Sequence, residues 1–477
     1  MPDIEPFLAS LRRIVGPQGL LTAPEDLAPC LTEERGRYHG RALALVRPAD
    51  TEQTAAVVKV CADSGIPVTP QGGNTGLCGG AVPDGGIVLN LSRMNRIIEI
   101  DPLNYTATVE AGAILADIQQ AADAEGCLFP LSLGAEGSCQ IGGNLSTNAG
   151  GINVLRYGNA RDLVLGLEVV LPDGRIWNGL NRLGKDNTGY ALKHLYVGAE
   201  GTLGVITRAV LKLFPKPVEV ETALCGLTDV HDATRLLSRA RALSGDAVTG
   251  FELISGFAME ITERHIAGCR NPLGSAHPWY VLMELSTSRP DAGLRKVFER
   301  LLEESFEAGI IADAAVAENL EQASRFWRLR ESIPEAQKRE GGSIKHDVSV
   351  PVSRVAEFIE RGIEAVREAF PGVRPCPFGH LGDGNIHFNI TQPAGAEKRR
   401  FLEQWEAMNR IVHDLVASME GSISAEHGVG LLKVDEIRRY KSPVEIDLMV
   451  RIKRALDPDN IMNPGKVVRW NRADTKE

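Results

Sequence analysis

Two glycine-rich stretches in the first third of the chain restrict its fold more than any other feature. The first is QGGNTGLCGG at residues 71–80, and the second is GAEGSCQIGG at residues 134–143, which leads on to NAGG at 148–151. Glycine is required where the backbone takes a positive φ angle or lies against a ligand, because it has no Cβ atom. The two stretches predict loops that together hold one large ligand.

The order of elements around the first loop argues against a nicotinamide dinucleotide site. Residues 43–46 and 67–70 are predicted strands on either side of a helix that begins at Thr51 and stops at Gly65. The loop then leads into a further strand at 86–91. A Rossmann glycine turn opens directly into a helix instead, so nicotinamide binding is disfavoured.

Charge and composition exclude further classes of function. The 477 residues carry a net charge of −10, and aromatic residues make up only 5 %, which disfavours nucleic acid as a partner. No apolar run approaches the ~18 to 20 residues that span a bilayer, and the first residues lack the order of a signal peptide. We therefore expect a cytoplasmic enzyme without a transmembrane segment.

The cysteines indicate a reducing compartment and no built-in electron relay. There are eight, and none forms a C-x-x-C pair or a ferredoxin-type run. Any electrons that the protein accepts must leave to an external carrier.

The segment FGHLGDGNIHFN at residues 378–389 predicts a β-hairpin. Asp383-Gly384 is typical of a two-residue turn, and in that register His380 and His387 are directly opposite each other. Cβ atoms of such a pair lie ~4.5 to 5.5 Å apart, close enough for both imidazoles to bind one divalent metal. The alternative is a solvated hairpin without metal, which spacing alone favours because H-x₆-H is not a standard metal signature.

Forty residues later, Glu426 and His427 precede Gly428 and place a carboxylate beside an imidazole. Two histidines and one glutamate form the three-ligand set of an open, catalytic metal site. A surface ion pair near a helix end is the alternative.

Two cations are candidates for binding a substrate carboxylate. Arg330 lies shortly before Pro334, which must break or restart a helix, and Lys345 shares one face of a predicted strand with Asp347 while His346 is on the other. Guanidinium and ammonium groups bind carboxylates through charge-assisted hydrogen bonds. Ordinary exposed charges would give the same pattern.

In this order, the motifs resemble those of the FAD-dependent D-2-hydroxy-acid dehydrogenases of the vanillyl-alcohol oxidase superfamily, and among them the D-2-hydroxyglutarate dehydrogenases. The resemblance rests on the two glycine loops, GTLG at 201–204, the HLGDGNIH hairpin, SAEHG at 424–428 and NPGK at 463–466. It implies an α+β fold with a two-part PCMH-type FAD-binding domain at 1–217. A substrate or cap domain with an antiparallel sheet would follow at 218–425, and residues 426–477 would return to the flavin.

The resemblance also assigns roles to individual residues. FAD would be bound by Pro70, Gln71, Gly72, Gly73, Asn74, Thr75, Gly76, Gly134, Ser138, Gly142, Gly143, Asn148, Gly150, Gly201, Gly204, Ile206 and Asn463. A divalent metal, usually zinc, would be bound by His380, His387 and Glu426. Substrate would contact Arg330, Lys345, Asn389 and His427, with His427 as the catalytic base. FAD is expected to be non-covalent because the first loop lacks histidine, although Cys139 leaves a cysteinyl link open.

The implied reaction is oxidation of a D-2-hydroxy acid to the 2-oxo acid, with the hydride passing to flavin N5. D-2-hydroxyglutarate is the first choice, because that group has lysine before its D-x-S-x-P segment, as Lys345 stands here. D-malate and D-lactate are the alternatives. The acceptor would be an electron-transfer flavoprotein or a quinone, and a homodimer is left open. Two rivals are a metal-dependent hydrolase without flavin chemistry and a non-catalytic FAD-binding scaffold.

Overall fold

The computed structural model describes residues 4–470 of the chain. Its strands are Leu20–Leu21 (β1), Ala44–Val46 (β2), Val68–Gln71 (β3), Ile87–Asn90 (β4), Ile97–Asp101 (β5), Thr106–Glu110 (β6), Cys127–Leu128 (β7), Val164–Val170 (β8), Ile176–Gly179 (β9), Val205–Lys212 (β10), Phe214–Pro215 (β11), Glu219–Leu227 (β12), Val248–Ser255 (β13), Trp279–Thr287 (β14), Asp313–Val316 (β15), Ser343–Ile344 (β16), Asp347–Ser349 (β17), Arg374–His380 (β18) and Asn385–Thr391 (β19).

Its α-helices are Ile4–Val15 (α1), Pro24–Leu31 (α2), Thr51–Ser64 (α3), Leu115–Ala124 (α4), Ile141–Thr147 (α5), Val154–Tyr157 (α6), Lys193–Tyr196 (α7), Val230–Ser244 (α8), Gly256–His265 (α9), Leu294–Glu307 (α10), Leu320–Glu331 (α11), Ile333–Arg339 (α12), Val355–Ala369 (α13), Lys398–Leu402 (α14), Trp405–Ser418 (α15), Ile437–Tyr440 (α16) and Pro443–Leu456 (α17). Within this part of the chain, no helix combines the length and apolar character needed to cross a membrane.

The chain forms two compact units. The first contains residues 1–150, 158–216 and 426–477, and the second contains 151–157 and 217–425. The changeovers at 216/217 and 425/426 lie beside the boundaries predicted from the sequence, while 151–157 belongs to the second unit. The functional division into three domains stays a prediction, and the extreme ends of the first and last predicted domains lie outside the described residues.

The first unit contains two main sheets. One has the order β1-β2-β4-β3, with β2 and β3 parallel to β4, and the other is an antiparallel sheet of order β5-β6-β10-β8-β9. The helix between β2 and β3 begins at Thr51, where Asp50 accepts the Gln53 N–H, and ends at Gly65 with φ 64°. The first glycine loop follows β3 and leads to β4, so the strand–loop–strand order predicted from the sequence is confirmed.

The second unit is built on one antiparallel sheet of order β15-β12-β14-β13-β18-β19-β16, with β17 also paired to β19. Helices α9, α11 and α12 cover one face and share an apolar core with it. That core includes Leu224, Ile254, Met259, Tyr280, Leu282, Phe326, Leu329, Ile333, Cys376 and Phe378. The α+β class predicted for this chain, with an antiparallel sheet in its later part, is confirmed.

The predicted register of the β18–β19 hairpin is wrong. Phe378, not His380, is the partner of His387, so the pairing is shifted by two residues. The turn is longer than two residues because Leu381–Asp383 forms a 3₁₀ turn before Gly384 at φ 84°. His380 is instead the cross-strand partner of Glu252 on β13.

Candidate active site

The two glycine loops of the first unit touch each other. A Cβ atom added at Gly73 would lie 2.1 Å from the carbonyl oxygen of Ser138, and one at Gly72 would lie 3.3 Å from the Cβ of Gln140. A side chain at Gly73 would therefore force the loops apart. This explains why glycine is required here without reference to any ligand.

A cavity that is open to solvent lies against these loops, and its empty space, including the solvent at its mouth, is about 950 Å³. Its lining contains predicted FAD-binding residues from both loops and from the start of β10: Pro70, Gln71, Gly72, Gly73, Asn74, Thr75, Gly76, Gly142, Gly143, Gly201, Gly204 and Ile206. Cys139, which the sequence analysis considered for a covalent FAD link, also lines it. So do polar and small residues outside the predicted FAD-binding set: Cys78, Gly80, Ala81, Gln140, Asn144, Ser146, Thr147 and Glu200.

The lining fits a large ligand that needs close backbone approach. Cβ atoms added at Gly76 and Gly143 would meet nothing within 4 Å, so these glycines border open space. The side-chain oxygen of Gln140 is buried and has no hydrogen-bond partner in the described part of the chain. Such a surface matches the glycine-rich cradles that proteins use for nucleotide phosphates.

Besides Asn463, which is described below, four predicted FAD-binding residues are not part of the cavity lining. They are Gly134, Ser138, Asn148 and Gly150. Ser138 and Asn148 have structural partners, because Ser138 donates to the Ala135 carbonyl at 3.4 Å and Asn148 accepts the Arg161 N–H at 2.9 Å. Within the first unit they shape the second loop and the end of α5.

Asn463 does not line the cavity but hydrogen-bonds to two residues that do. Its side-chain amide donates to the carbonyl oxygens of Gly80 at 2.8 Å and Glu200 at 2.7 Å, and both of these residues line the cavity. Asn463 is 1 % exposed, so direct contact with a ligand is not its role in this geometry.

Glu200 is a buried carboxylate that the sequence reasoning did not single out. Its oxygens accept the backbone N–H groups of Val429 at 2.7 Å and Gly430 at 2.9 Å. Burial raises the pKa of the Glu200 carboxyl, although these hydrogen bonds and the charges of Lys433 and Lys466 oppose the rise. The residue ties the segment after His427 to the cavity wall.

His427 opens onto the same cavity as the glycine loops. About a quarter of its side chain is exposed (24 %), and its Nε2 lies 3.6 Å from a carboxylate oxygen of Glu426. A partly exposed imidazole on the wall of a ligand cavity can exchange a proton with a bound molecule.

In the second unit, the predicted metal and substrate residues share one face of the sheet. His387 pairs with Phe378, Asn389 pairs with Cys376, and His380 pairs with Glu252, and cross-strand partners point to the same side. This is the face that α9, α11 and α12 cover, since Phe378 and Cys376 belong to the core beneath them.

His380 and His387 are close enough to share a metal ion despite the shifted register. Their ring centroids are 5.5 Å apart, and one ring nitrogen of each lies within 4.8 Å of one of the other. Asp347 is the register partner of His387 on β17. The backbone carbonyl of Asp347 accepts the N–H of Ala425 at 3.3 Å. Glu426 is the next residue, so the Cα atom of Glu426 lies about 3.8 Å from that of Ala425.

Glu252 lies between His380 and Arg330, and the sequence reasoning missed it. One carboxylate oxygen is 2.6 Å from His380 Nδ1, and the other accepts from Arg330 Nε at 2.6 Å. Burial alone would raise the pKa of Glu252, but the charges and hydrogen bonds of His380 and Arg330 lower it to about 2. No motif marks the residue, because its partners lie far away in the sequence.

Lys345 lies where the edge strand is interrupted between β16 and β17. The same register offset holds on both sides of the break, which places Lys345 opposite Asn389. The ring of His346 is on the other face, where its Nδ1 is 2.8 Å from the Phe388 carbonyl oxygen, as side-chain alternation predicts. The Asn389 amide donates to Gln337 at 2.9 Å, so α12 fixes its orientation.

Comparisons with known proteins show the family to which the chain belongs. The family profile described as "FAD linked oxidases, C-terminal domain" matches residues 216–467, and that described as "FAD binding domain" matches residues 42–179. The Arabidopsis thaliana protein named "D-2-hydroxyglutarate dehydrogenase, mitochondrial" is 37 % identical over 460 residues, which is 96 % of this chain and 80 % of the plant protein.

A bacterial relative matches over nearly its whole length. The D-2-hydroxyglutarate dehydrogenase of Xanthomonas citri pv. viticola is 35 % identical over 474 residues, covering 99 % of this chain and 98 % of that protein. Among solved structures, p-cresol methylhydroxylase with substrate bound superposes with a TM-score of 0.73 at 19 % identity, covering 97 % of this chain and 96 % of that one. The last likeness concerns the fold alone.

Proposed function

The chain belongs to the FAD-linked oxidase family, and we propose that it oxidises D-2-hydroxyglutarate to 2-oxoglutarate with FAD as the first electron acceptor. FAD supplies a hydride acceptor at flavin N5 when it is bound. The family makes the hydrolase considered from the sequence the weaker alternative, because a hydrolase would have no use for an FAD-binding domain. D-lactate and D-malate remain the competing substrates.

The observation that carries this proposal is the position of His427 on the wall of the glycine-loop cavity. An imidazole at that wall could take the proton of the 2-hydroxyl of a bound substrate, and FAD, when bound, would supply the acceptor for the C2 hydride. His427 is therefore the proposed base. Gly428 at φ 76° lets the chain turn directly after it.

We propose His380, His387 and Glu426 as the ligands of a divalent metal, with zinc as the first choice. Two imidazoles and one carboxylate are ordinary zinc donors, and three protein ligands leave a position open for substrate. A divalent metal there supplies Lewis acidity that favours loss of the hydroxyl proton. The support is the proximity of the two imidazoles and the chain continuity between Ala425 and Glu426.

Arg330, Lys345 and Asn389 are the proposed substrate-binding residues. A dicarboxylate needs a cation for each end, and this face of the sheet offers two. A charge-assisted hydrogen bond to each carboxylate would orient the chiral C2 atom. The second cation is what favours D-2-hydroxyglutarate over D-lactate.

We propose that FAD is bound without a covalent link. Position 74 in the first loop is asparagine, whose side chain donates to the carbonyl oxygens of Pro29 and Thr32. Cys139 lines the cavity, but burial raises the pKa of its thiol, and the neutral thiol is a poor nucleophile. Acid precipitation should release the yellow colour into the supernatant. Colour that stays with the precipitate would contradict this proposal.

The function is tested by anaerobic flavin bleaching. D-2-hydroxyglutarate should bleach the oxidised flavin faster, and at lower concentration, than D-malate or D-lactate, and L-2-hydroxyglutarate should be inert. Bleaching by D-lactate alone would reassign the substrate. A yellow protein that no hydroxy acid bleaches would instead support the non-catalytic scaffold.

The metal is tested separately from the flavin. Chelator treatment, or His380→Ala, should abolish turnover and leave the flavin absorbance spectrum unchanged, because neither His380 nor His387 is among the residues that line the glycine-loop cavity. Full activity in protein that elemental analysis finds free of metal would remove the metal from the mechanism.

An electron-transfer flavoprotein or a quinone is the proposed final electron acceptor. The cytoplasmic location and the homodimer stay predictions.

A further inference from the structure

Glu252 is an ionisable side chain in the interior of the second unit's sheet. It lies on β13, is 0 % exposed, and is the cross-strand partner of His380. Removing a carboxylate from water costs several kcal/mol unless partners compensate it. A glutamate at such a position therefore depends on specific contacts.

Both of its carboxylate oxygens have a partner, and the partners belong to two different parts of the proposed site. Oε1 lies 2.6 Å from Nδ1 of His380, and Oε2 accepts from Nε of Arg330 at 2.6 Å. We infer that Glu252 is a positioning residue that fixes the metal ligand His380 and the substrate-binding Arg330 at the same time. The inference rests on the proposed function and extends it to a residue that contacts neither metal nor substrate.

The contact with His380 selects which ring nitrogen can bind metal. A carboxylate accepts, so Nδ1 of His380 must carry the proton and Nε2 keeps the lone pair. Metal-binding histidines commonly donate their other ring N–H to a carboxylate, which fixes the tautomer and the ring plane. Glu252 meets this requirement in an interior position that water does not reach.

The contact with Arg330 leaves the recognition end of the guanidinium available. Glu252 uses only Nε, and within the described residues Nη1 and Nη2 form no hydrogen bond. The guanidinium carbon also lies 4.9 Å from the centroid of the Phe378 ring, so one edge and one face of the group are held. A fixed, planar fork of this kind is suited to a carboxylate.

Glu252→Gln tests the inference because it keeps the size of the side chain and removes the second acceptor. The new amide directs N–H groups toward either His380 or Arg330, both of which also donate. His380 can adapt by changing tautomer, but its Nε2 then carries a proton and cannot bind metal. We expect the affinity for Zn²⁺, measured by competition with a chromophoric chelator on FAD-loaded protein, to fall roughly 10- to 100-fold.

The KM for D-2-hydroxyglutarate should change independently of the zinc affinity. With Zn²⁺ at saturating concentration, the kcat of Glu252→Gln should recover toward the wild-type value. Its KM for D-2-hydroxyglutarate should stay roughly tenfold raised, because Arg330 has lost its charged carboxylate partner. Glu284→Gln is the matched control. Glu284 is a partly buried glutamate on the neighbouring strand β14 that accepts from Trp327 at 2.9 Å. Its replacement should leave the zinc affinity and the KM near the wild-type values.

Unchanged zinc affinity together with unchanged KM in Glu252→Gln overturns the inference. If that variant does not fold with FAD, Glu252→Asp replaces it, since a side chain one carbon shorter cannot keep both hydrogen bonds, and wild-type constants there are equally decisive. If wild-type protein binds no metal, the metal part of the proposed function fails, and the inference then depends on KM alone. The two failures are therefore distinguishable.

Discussion

His427 and Lys345 show how the setting of one side chain decides its chemistry. His427 borders the glycine-loop cavity and is 24 % exposed, so it is accessible to a bound molecule while one side of the ring is covered. Lys345 lies opposite the buried Asn389, at the edge of the sheet face that also contains Phe378 and Cys376. Neither residue type identifies a site unless its surroundings are known.

Replacing the proposed base should slow flavin reduction and spare binding. We expect His427→Asn to retain FAD and to reduce its flavin ~10² to 10⁴ times more slowly than wild type in anaerobic stopped-flow experiments. His231→Asn is the control, because His231 is an exposed histidine of the second unit that pairs with Glu360. Its flavin should be reduced at the wild-type rate. Near-wild-type reduction in His427→Asn would show that His427 only shapes the cavity.

Removing the second cation should matter for a dicarboxylate and little for a monocarboxylate. A charge-assisted hydrogen bond is worth ~1.5 to 3 kcal/mol, so Lys345→Ala should lower kcat/KM for D-2-hydroxyglutarate roughly tenfold to a hundredfold. D-lactate turnover should change much less. Lys338→Ala, at an exposed lysine on α12, is the matched control. Equal losses on both substrates would assign Lys345 to the shared carboxylate or to the structure.

At the scale of elements, α12 connects the apolar core to Asn389, a proposed substrate-binding residue on the same face of the sheet. Gln337 on α12 accepts from Asn389 and donates to Thr391 on β19 at 2.9 Å. Directly after the helix, Glu340 contacts Arg264 at 2.8 Å and His265 at 2.6 Å, both at the end of α9, and also pairs with Arg374 on β18. Glu340 therefore links two helix ends to the first residue of β18.

This link predicts a pH dependence of stability. Burial alone would raise the pKa of Glu340, but hydrogen bonds from His265, Arg374 and Arg264 lower it to about 2, below its ordinary value of 4.5. Because its pKa is lower in the folded state, the Glu340 carboxyl stabilises the folded protein at pH values above its ordinary pKa of 4.5. This stabilisation is lost as the pH falls from 4.5 toward 2.

The comparison of wild type with Glu340→Gln measures this contribution. The variant should melt at a lower temperature at neutral pH, and the difference between the two melting temperatures should shrink below about pH 4.5 as the wild-type carboxylate is protonated. Glu357→Gln, at a partly exposed surface carboxylate paired with Arg354 and Arg361, should show little difference at any pH. A Glu340→Gln difference that is constant with pH would argue against the assignment.

At the scale of the whole molecule, the end of the chain completes a cavity that its beginning forms. Asn463 donates to the carbonyl of Gly80, 383 residues earlier, and to that of Glu200, 263 residues earlier. The backbone at Asn463 has φ 42°, a conformation that asparagine tolerates better than most residues. The first unit therefore cannot form its cavity wall from the N-terminal sequence alone.

Asn463→Asp tests this dependence, since it keeps the shape and removes both donors. The new carboxylate would face two buried carbonyl oxygens, and each acceptor left unpaired costs ~1 to 3 kcal/mol. We expect FAD to bind at least roughly tenfold more weakly, measured by titrating apoprotein with FAD. Asn460→Asp is the control, because Asn460 has φ 53° and, among residues 4–470, makes a single side-chain donation, to the Trp470 carbonyl. Equal FAD affinity in both variants would refute the role of Asn463.

The sequence by itself determined the features that depend on near neighbours. The bounds of α3 follow from helical spacing and a glycine stop, and the opposite orientations of Lys345 and His346 follow from the alternation of strand side chains. The glycine-rich composition of residues 71–80 also predicted a close approach to the backbone, although at Gly73 the approaching group is the second glycine loop. The motifs further identified the family that the comparisons show.

Only the tertiary structure decided which distant groups satisfy the buried charges. Glu252 is 128 residues from His380, and Glu200 is 230 residues from Gly430, and neither glutamate belongs to a pattern that names its partner. The hairpin register was missed for a related reason, since the pairing of His380 with Glu252 on β13 is not encoded in the local Asp383-Gly384 turn signal. A buried carboxylate must have donors, but any donor satisfies it, so the partner is set by the folding of the whole chain.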